Sequence, residues 1–120
     1  ELATVSVSAV DPDESDAFWM TVEGYTFPTI YYMVDSPRAA PVQLQALPPL
    51  FDASGCSVSQ HVATSLDGTS VPYFEVSKSS GGNEGPDPTL LYGYGGFEIS
   101  MTPGYSPGVG VGNSQLSAYS

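Results

Sequence analysis

Residues 88–97 read Pro-Thr-Leu-Leu-Tyr-Gly-Tyr-Gly-Gly-Phe, a short apolar run that ends in three glycines interleaved with aromatic residues. The apolar run, residues 89–92, is too short for a helix and predicts a buried strand. The glycines permit backbone angles that other residues avoid, and they allow another group to approach closely. Ligands of open α/β sheets bind beyond the carboxyl ends of strands. This stretch therefore predicts a strand that ends at the wall of an active site.

Upstream of this stretch, the chain has the pattern of short strands joined by turns. Residues 2–10 alternate between polar and apolar side chains, and residues 17–22 and 29–34 are rich in aromatic and β-branched residues. Three such strands predict a β-meander or one blade of a β-propeller. Four prolines within residues 36–49 then predict a domain boundary, because proline removes backbone donors and stiffens the chain. A short helical turn over residues 42–47 is an alternative for part of that segment.

A hairpin is the strongest local prediction in the second half of the chain. Two strand-like runs, residues 58–66 and 70–76, flank the dipeptide Asp67-Gly68. Asp-Gly between such runs is typical of a tight β-hairpin. Pro72 cannot donate to a strand ladder, so its strand either lies at a sheet edge or turns that nitrogen away from the partner.

The charge balance excludes two classes of partner. Thirteen acidic residues face two basic ones, for a net charge of −11 in 120 residues. A surface this acidic repels phosphate, which argues against nucleic acid and against an anionic membrane surface. No run approaches the ~18 apolar residues of a membrane span. Glycine and proline, with 13 and 11 residues, indicate a loop-rich and mostly β chain.

Metal and cofactor sites are not indicated by the sequence. One histidine and one cysteine cannot build a zinc site. The acidic turn over residues 11–16 lacks the glycine and the final glutamate of an EF-hand loop. We therefore expect no metal and no cofactor. Cys56 has no partner for an intrachain disulfide, and the compartment stays open between cytoplasm and periplasm.

Nucleophilic catalysis by this segment alone is also not indicated. A nucleophile elbow requires Gly-x-Ser-x-Gly, which the chain does not contain. His61 is the single histidine, and in α/β-hydrolases the histidine follows the nucleophile and the acid along the chain. We therefore interpret His61 as a solvated or packed hairpin residue. Tyr94 keeps two interpretations: a loop aromatic that packs against Phe97, or a phenolic donor aimed at an oxyanion.

Four stretches resemble the prolyl oligopeptidase family. They are Phe-Asp-Ala-Ser-Gly at 51–55, Gln-His-Val-Ala-Thr-Ser-Leu-Asp-Gly-Thr-Ser-Val-Pro-Tyr-Phe at 60–74, residues 88–100, and Thr-Pro-Gly-Tyr-Ser-Pro at 102–107. The family are serine peptidases of the α/β-hydrolase type, capped by a β-propeller, that cut short peptides after proline. The resemblance implies a mostly β chain, namely the last part of a propeller followed by the first strands of a hydrolase domain.

The resemblance also implies a division of the chain and roles for two residues. Residues 1–36 would form a propeller-blade-like meander, 37–50 a proline-rich linker, 51–108 the first hydrolase strands and 109–120 an atypical tail. Tyr94 matches the tyrosine whose hydroxyl helps form the oxyanion hole, and Phe97 matches an aromatic that lines the pocket for the substrate proline. The family's Ser, Asp and His lie downstream, so we expect a fragment that is inactive without the rest of the hydrolase domain. The partners would be proline-containing peptides; a non-catalytic β-rich binding or interaction module is the alternative.

Overall fold

The computed structural model describes residues 2–78, 89–97 and 99–112. This part of the chain is mostly β, as predicted. It divides into two compact units, one containing Ala3–Pro49 with Pro103–Tyr105 and the other containing Leu50–Thr102. The elements in chain order are β1 (Thr4–Ala9), β2 (Phe18–Glu23), β3 (Ile30–Val34), β4 (Val42–Ala46), β5 (Cys56–Thr64), β6 (Ser70–Lys78) and α1 (Pro107–Gly112).

The first unit is an antiparallel meander with the strand order β1-β2-β3-β4. The three strands predicted upstream are confirmed, each within two residues of its predicted start. Val7 lies opposite Met20, and Met20 lies opposite Tyr32, so apolar side chains line up across one face of the sheet. Val34 of β3 is buried, with 3% exposure. The sheet therefore has a thin core centred on β3.

Strand β4 lies where the sequence predicted a linker. It pairs antiparallel with β3, with a register shift between Tyr31 and Tyr32. The alternative of a helical turn over residues 42–47 is wrong, because Val-Gln-Leu-Gln-Ala alternates with the period of a strand and the prolines lie outside it. The first unit runs through Pro49, close to the end of the predicted linker. The assignment of residues 37–50 to a linker between domains stays a prediction.

The second unit contains the predicted hairpin, which the structure confirms as β5 paired with β6. The Ser65 N–H donates to the Thr69 carbonyl at 2.8 Å, and the Gly68 N–H donates to the Ser65 carbonyl at 2.9 Å. Gly68 has φ 85°, in the left-handed region. These features define a three-residue loop that ends in a glycine bulge. The Asp67 carboxylate accepts the Thr69 N–H at 3.0 Å and fixes the turn further.

Pro72 interrupts no hydrogen bond in this hairpin. It lies opposite Val62, three pairs along the ladder from Ser65 and Thr69. Hydrogen-bonded and non-hydrogen-bonded pairs alternate in an antiparallel ladder, so the Pro72 nitrogen faces away from β5. In this two-stranded sheet β6 is also an edge strand. Both conditions that the sequence placed on Pro72 are met.

The prediction of a buried strand over residues 89–92 is wrong. These residues have no regular secondary structure, and the side chain of Leu91 is 72% exposed. An extended segment becomes a buried strand only between partner strands, and no strand in the described ranges pairs with it. Residues 113–120 of the predicted tail lie outside the described residues. Within the described ranges, no helix has the length and apolar character needed to cross a membrane.

Candidate functional site

The candidate site is the segment of residues 89–97, which we call the glycine–aromatic loop. The Tyr94 side chain is 48% exposed, and its ring folds back over Gly96. A methyl group added to Gly96 would lie 3.0 Å from the Tyr94 Oη atom and 3.1 Å from its Cζ atom. The absence of a side chain at Gly96 therefore makes room for the phenol.

The Tyr94 hydroxyl is available as a hydrogen-bond donor. None of the hydrogen bonds formed by the described side chains involves it. The interpretation that Tyr94 only packs against Phe97 does not hold here, because the Phe97 side chain is 92% exposed. A half-exposed phenol without a partner in the described part of the chain can donate to a bound oxygen atom.

Phe97 has the most unusual backbone of the loop. Its φ is 56°, and it is the one residue other than glycine with positive φ among those described. The Ile99 N–H donates to the Gly96 carbonyl at 3.2 Å and closes a turn around it. A left-handed conformation at such a residue costs about 1–3 kcal/mol and is concentrated at active sites and ligand clamps. The turn therefore exposes an aromatic ring to solvent. This arrangement costs free energy twice, because the backbone is strained and apolar surface is left in water.

Gly93 and Gly95 do not use the backbone freedom that the sequence suggested. Neither has φ in the left-handed region, unlike Gly55 and Gly68. Glycine permits such angles, but these two residues do not adopt them. No described atom lies within 4 Å of a Cβ added to either residue. These two glycines leave open space beside the backbone, and they do so with ordinary φ angles.

His61 lies on the hairpin, away from any arrangement of a catalytic triad. Its ring stacks on Tyr73 with the centroids 5.2 Å apart, and its Nε2 atom is 3.3 Å from the Glu75 Oε2 atom. Both of these side chains are more than one third exposed. Cys56 begins β5, half-buried, with its N–H bonded to the Ala53 carbonyl. No group of three or more His, Cys, Asp or Glu residues in the described ranges could hold a metal ion.

Two turn carboxylates have lowered pKa values. Hydrogen bonds from Ser54 lower the pKa of Asp52, and hydrogen bonds from Thr69, chiefly its backbone N–H, lower the pKa of Asp67. Hydrogen bonds to the ionised form favour that form. Both groups are exposed in turns of the second unit. Their shifts reflect turn geometry and not a catalytic environment.

Sequence reasoning missed one contact of the segment that follows the loop. The Thr4 hydroxyl donates to the Pro103 carbonyl at 2.6 Å, although the two residues are 99 positions apart. Pro103 is buried. No local pattern in the sequence links these residues, because the contact depends on the return of the chain to the first unit.

Comparison with known proteins finds relatives among peptidases. No protein-family model matches the chain. It is 40% identical over 110 residues, 92% of its length, to the uncharacterized peptidase y4nA of Sinorhizobium fredii, of which it covers 15%. It is 32% identical over 78% of its length to a prolyl endopeptidase of Elizabethkingia miricola, of which it covers 13%.

A solved structure supports the same relationship. The structure of a post-proline cleaving enzyme from Rickettsia typhi matches 98% of this chain with a TM-score of 0.72 and 28% sequence identity. The chain covers 17% of that structure. It therefore corresponds to a small part of each protein that it resembles.

Proposed function

Because the chain belongs to the prolyl oligopeptidase family of peptidases, we propose that a longer protein carrying this segment is a serine endopeptidase that cleaves short peptides after proline. The printed names of the relatives, a prolyl endopeptidase and a post-proline cleaving enzyme, support this substrate class. The segment would supply binding and transition-state groups. The serine nucleophile, the acid and the catalytic histidine would come from other parts of such a protein.

The observation that carries the proposal is the free phenol of Tyr94 beside two open glycines. When a serine attacks a peptide carbonyl, the carbonyl oxygen gains negative charge, and a donor placed at that oxygen stabilises the transition state. Tyr94 offers a half-exposed hydroxyl with no described partner. The open space at Gly93 and Gly95 lets a peptide approach the backbone next to that hydroxyl. We assign Tyr94 as an oxyanion-hole donor.

Phe97 fits the recognition of proline. Proline presents a flat apolar ring and no N–H of its own, so a pocket for it needs apolar area and not a donor. An aromatic ring supplies that area and packs face to face with the pyrrolidine. Phe97 is 92% exposed, and the backbone turn that carries it is closed by the hydrogen bond from the Ile99 N–H to the Gly96 carbonyl. We assign it to the pocket for the residue before the cleaved bond.

The test is Tyr94→Phe in a full-length peptidase that carries this segment, assayed with a chromogenic Z-Gly-Pro substrate. Loss of one oxyanion donor lowers kcat by about 10²–10³. KM should change little, because the lost hydrogen bond forms chiefly in the transition state. Unchanged kcat would refute the role of Tyr94. Failure of the full-length protein to react with a fluorophosphonate probe would refute the serine peptidase and favour the binding module.

A further inference from the structure

One edge of the four-stranded sheet is unprotected. Strand β1 lies at that edge, and within the described residues it pairs with β2 and with no other strand. It contains no proline, no charged residue and no register shift against β2, which are features that natural proteins use to protect a sheet edge. Strand β4 at the other edge has a register shift and lies between Pro41 and Pro48. A further strand can therefore pair most readily with β1.

Three residues of β1 direct their backbone groups toward this free edge. The Val10 N–H donates to the Ala17 carbonyl at 3.0 Å, and these two residues continue the register of β1 with β2. Hydrogen-bonded and non-hydrogen-bonded pairs alternate in an antiparallel ladder, so the N–H and C=O groups of Val5, Val7 and Ala9 face away from β2. No backbone hydrogen bond among the described residues uses these groups. They form a row of donors and acceptors that repeats every two residues.

The side chains along β1 alternate between apolar and hydroxyl-bearing groups. Val5 and Val7 are 56% and 66% exposed, on the face of the sheet that also carries Met20. Ser6 and Ser8 point to the opposite face and are also exposed. A strand added at this edge would place alternate side chains beside the valines and beside the serines. The edge therefore fits an extended peptide in which apolar and polar residues alternate.

The charge of the unit that contains β1 favours a basic partner over a second copy of this chain. This unit has six carboxylates and one basic residue, Arg38. Four of the carboxylates lie exposed in the turn of residues 11–16, which directly follows β1. The Asp11 carboxylate accepts the N–H groups of Asp13 and Glu14 at 3.0 and 3.2 Å, so this turn is ordered. A second copy would add its own net charge of −11, and like charges disfavour association.

We propose that the free edge of β1 binds an extended, basic peptide as an additional strand of the sheet. Main-chain hydrogen bonds to Val5, Val7 and Ala9 supply the affinity, as in other cases of strand addition. The exposed valines select apolar side chains on one face of the peptide, and the acidic turn attracts basic residues at one end of it. This binding goes beyond the proposed peptidase chemistry and does not depend on the role of Tyr94.

The test uses a fluorescein-labelled peptide, Lys-Val-Thr-Val-Thr-Val-Lys, and the full-length peptidase that carries this segment. The peptide contains no proline, so the proposed activity does not consume it. Binding is followed by fluorescence anisotropy, and the site is located by hydrogen exchange of residues 4–10. An analogue with its central amides N-methylated keeps the side chains but cannot form the backbone ladder. A second analogue carries glutamate in place of lysine.

Two variants of Val7 separate the backbone donor from the side chain. Val7→Pro removes one N–H at the free edge, where proline is tolerated in a strand, and Val7→Ile is the matched control that keeps the donor and the branched side chain. We expect Val7→Pro to weaken binding about fivefold or more and Val7→Ile to leave it close to the wild-type value. Peptide binding should slow exchange in residues 4–10. The lysine peptide should bind more tightly than the glutamate peptide, with a smaller difference as the salt rises from about 0.01 M to about 1 M.

Several outcomes would overturn the proposal. They are equal affinity in Val7→Pro and Val7→Ile, undiminished binding of the methylated peptide, or equal binding of the lysine and glutamate peptides. Slow exchange in β1 without added peptide, together with no binding, would show that the longer protein supplies the strand itself. A dimer that Val7→Pro dissociates would show that a second copy occupies the edge. If Val7→Pro does not fold, the methylated peptide on the wild-type protein decides.

Discussion

Gly96→Ala tests the placement of the Tyr94 phenol without removing the hydroxyl. The added methyl would lie 3.0 Å from the Oη atom and 3.1 Å from the Cζ atom of Tyr94. Carbon contacts are optimal at about 3.5–4.0 Å, so the ring must retreat by about 0.5 Å. Gly96 has no left-handed φ, so alanine introduces no backbone strain at this position. The substitution therefore acts on the phenol and not on the loop backbone.

The expected result is a fall in kcat that is smaller than that caused by Tyr94→Phe. A shift of 1 Å can cost about 10²-fold, so a shift half as large should cost about tenfold. KM should stay close to the wild-type value, because the phenol acts in the transition state. The assay is steady-state hydrolysis of a Z-Gly-Pro substrate by the full-length peptidase. Gly108→Ala is the control, because a Cβ at Gly108 would meet no described atom within 4 Å.

A double-mutant cycle decides whether the effect passes through Tyr94. In the Tyr94→Phe background the oxyanion donor is already absent, so Gly96→Ala should cause almost no further loss. The coupling between two residues in contact is what such a cycle isolates. Equal losses in the two backgrounds would refute the reasoning, since Gly96→Ala would then act on something other than the phenol.

Two further predictions concern the hairpin. The hydrogen bonds from Thr69 lower the pKa of the Asp67 carboxyl in the folded protein. The ionised carboxylate therefore stabilises the folded hairpin, fully so above the ordinary pKa of 3.8, and this contribution is lost as the pH falls through the lower pKa of the folded state. Asp67→Asn keeps an acceptor and should abolish this acid sensitivity, seen as amide exchange of the hairpin between pH 5 and pH 2; an unchanged pH dependence would contradict it. His61→Ala should leave kcat unaltered, because the imidazole lies on the hairpin against Tyr73 and Glu75 and has no place in the proposed catalytic machinery. A loss on the order of 10⁶, typical of a triad histidine, would instead place His61 in the catalytic machinery.

The parts of the fold that depend on local signals could be predicted from the sequence. Asp67-Gly68 specifies its hairpin because glycine at the bulge position accepts φ 85° and the aspartate accepts a neighbouring N–H. The alternation in residues 2–10 places β1 correctly, because the side-chain period of a strand is two. Both signals lie within a few residues of the structure that they specify.

The parts that depend on distant partners could not be predicted in the same way. The apolar run 89–92 has the composition of a buried strand, but composition does not supply the neighbouring strands that burial requires. The sequence allowed a helical turn over residues 42–47, whereas pairing with β3 makes β4 a strand. The bond between Thr4 and Pro103 spans 99 residues and leaves no local pattern. In each case the outcome depends on what the rest of the fold places beside the segment.

The candidate site combines both kinds of information, because the sequence proposes its residues but does not specify their geometry. The order of glycines and aromatics in residues 88–97 pointed to Tyr94 and Phe97 as chemistry-bearing groups. Their geometry depends on the turn that gives Phe97 a φ of 56° and on the missing side chain at Gly96. A strained turn persists only when its surroundings determine it more strongly than the local preference does. In the described part of the chain, the hydrogen bond from the Ile99 N–H to the Gly96 carbonyl is one such constraint.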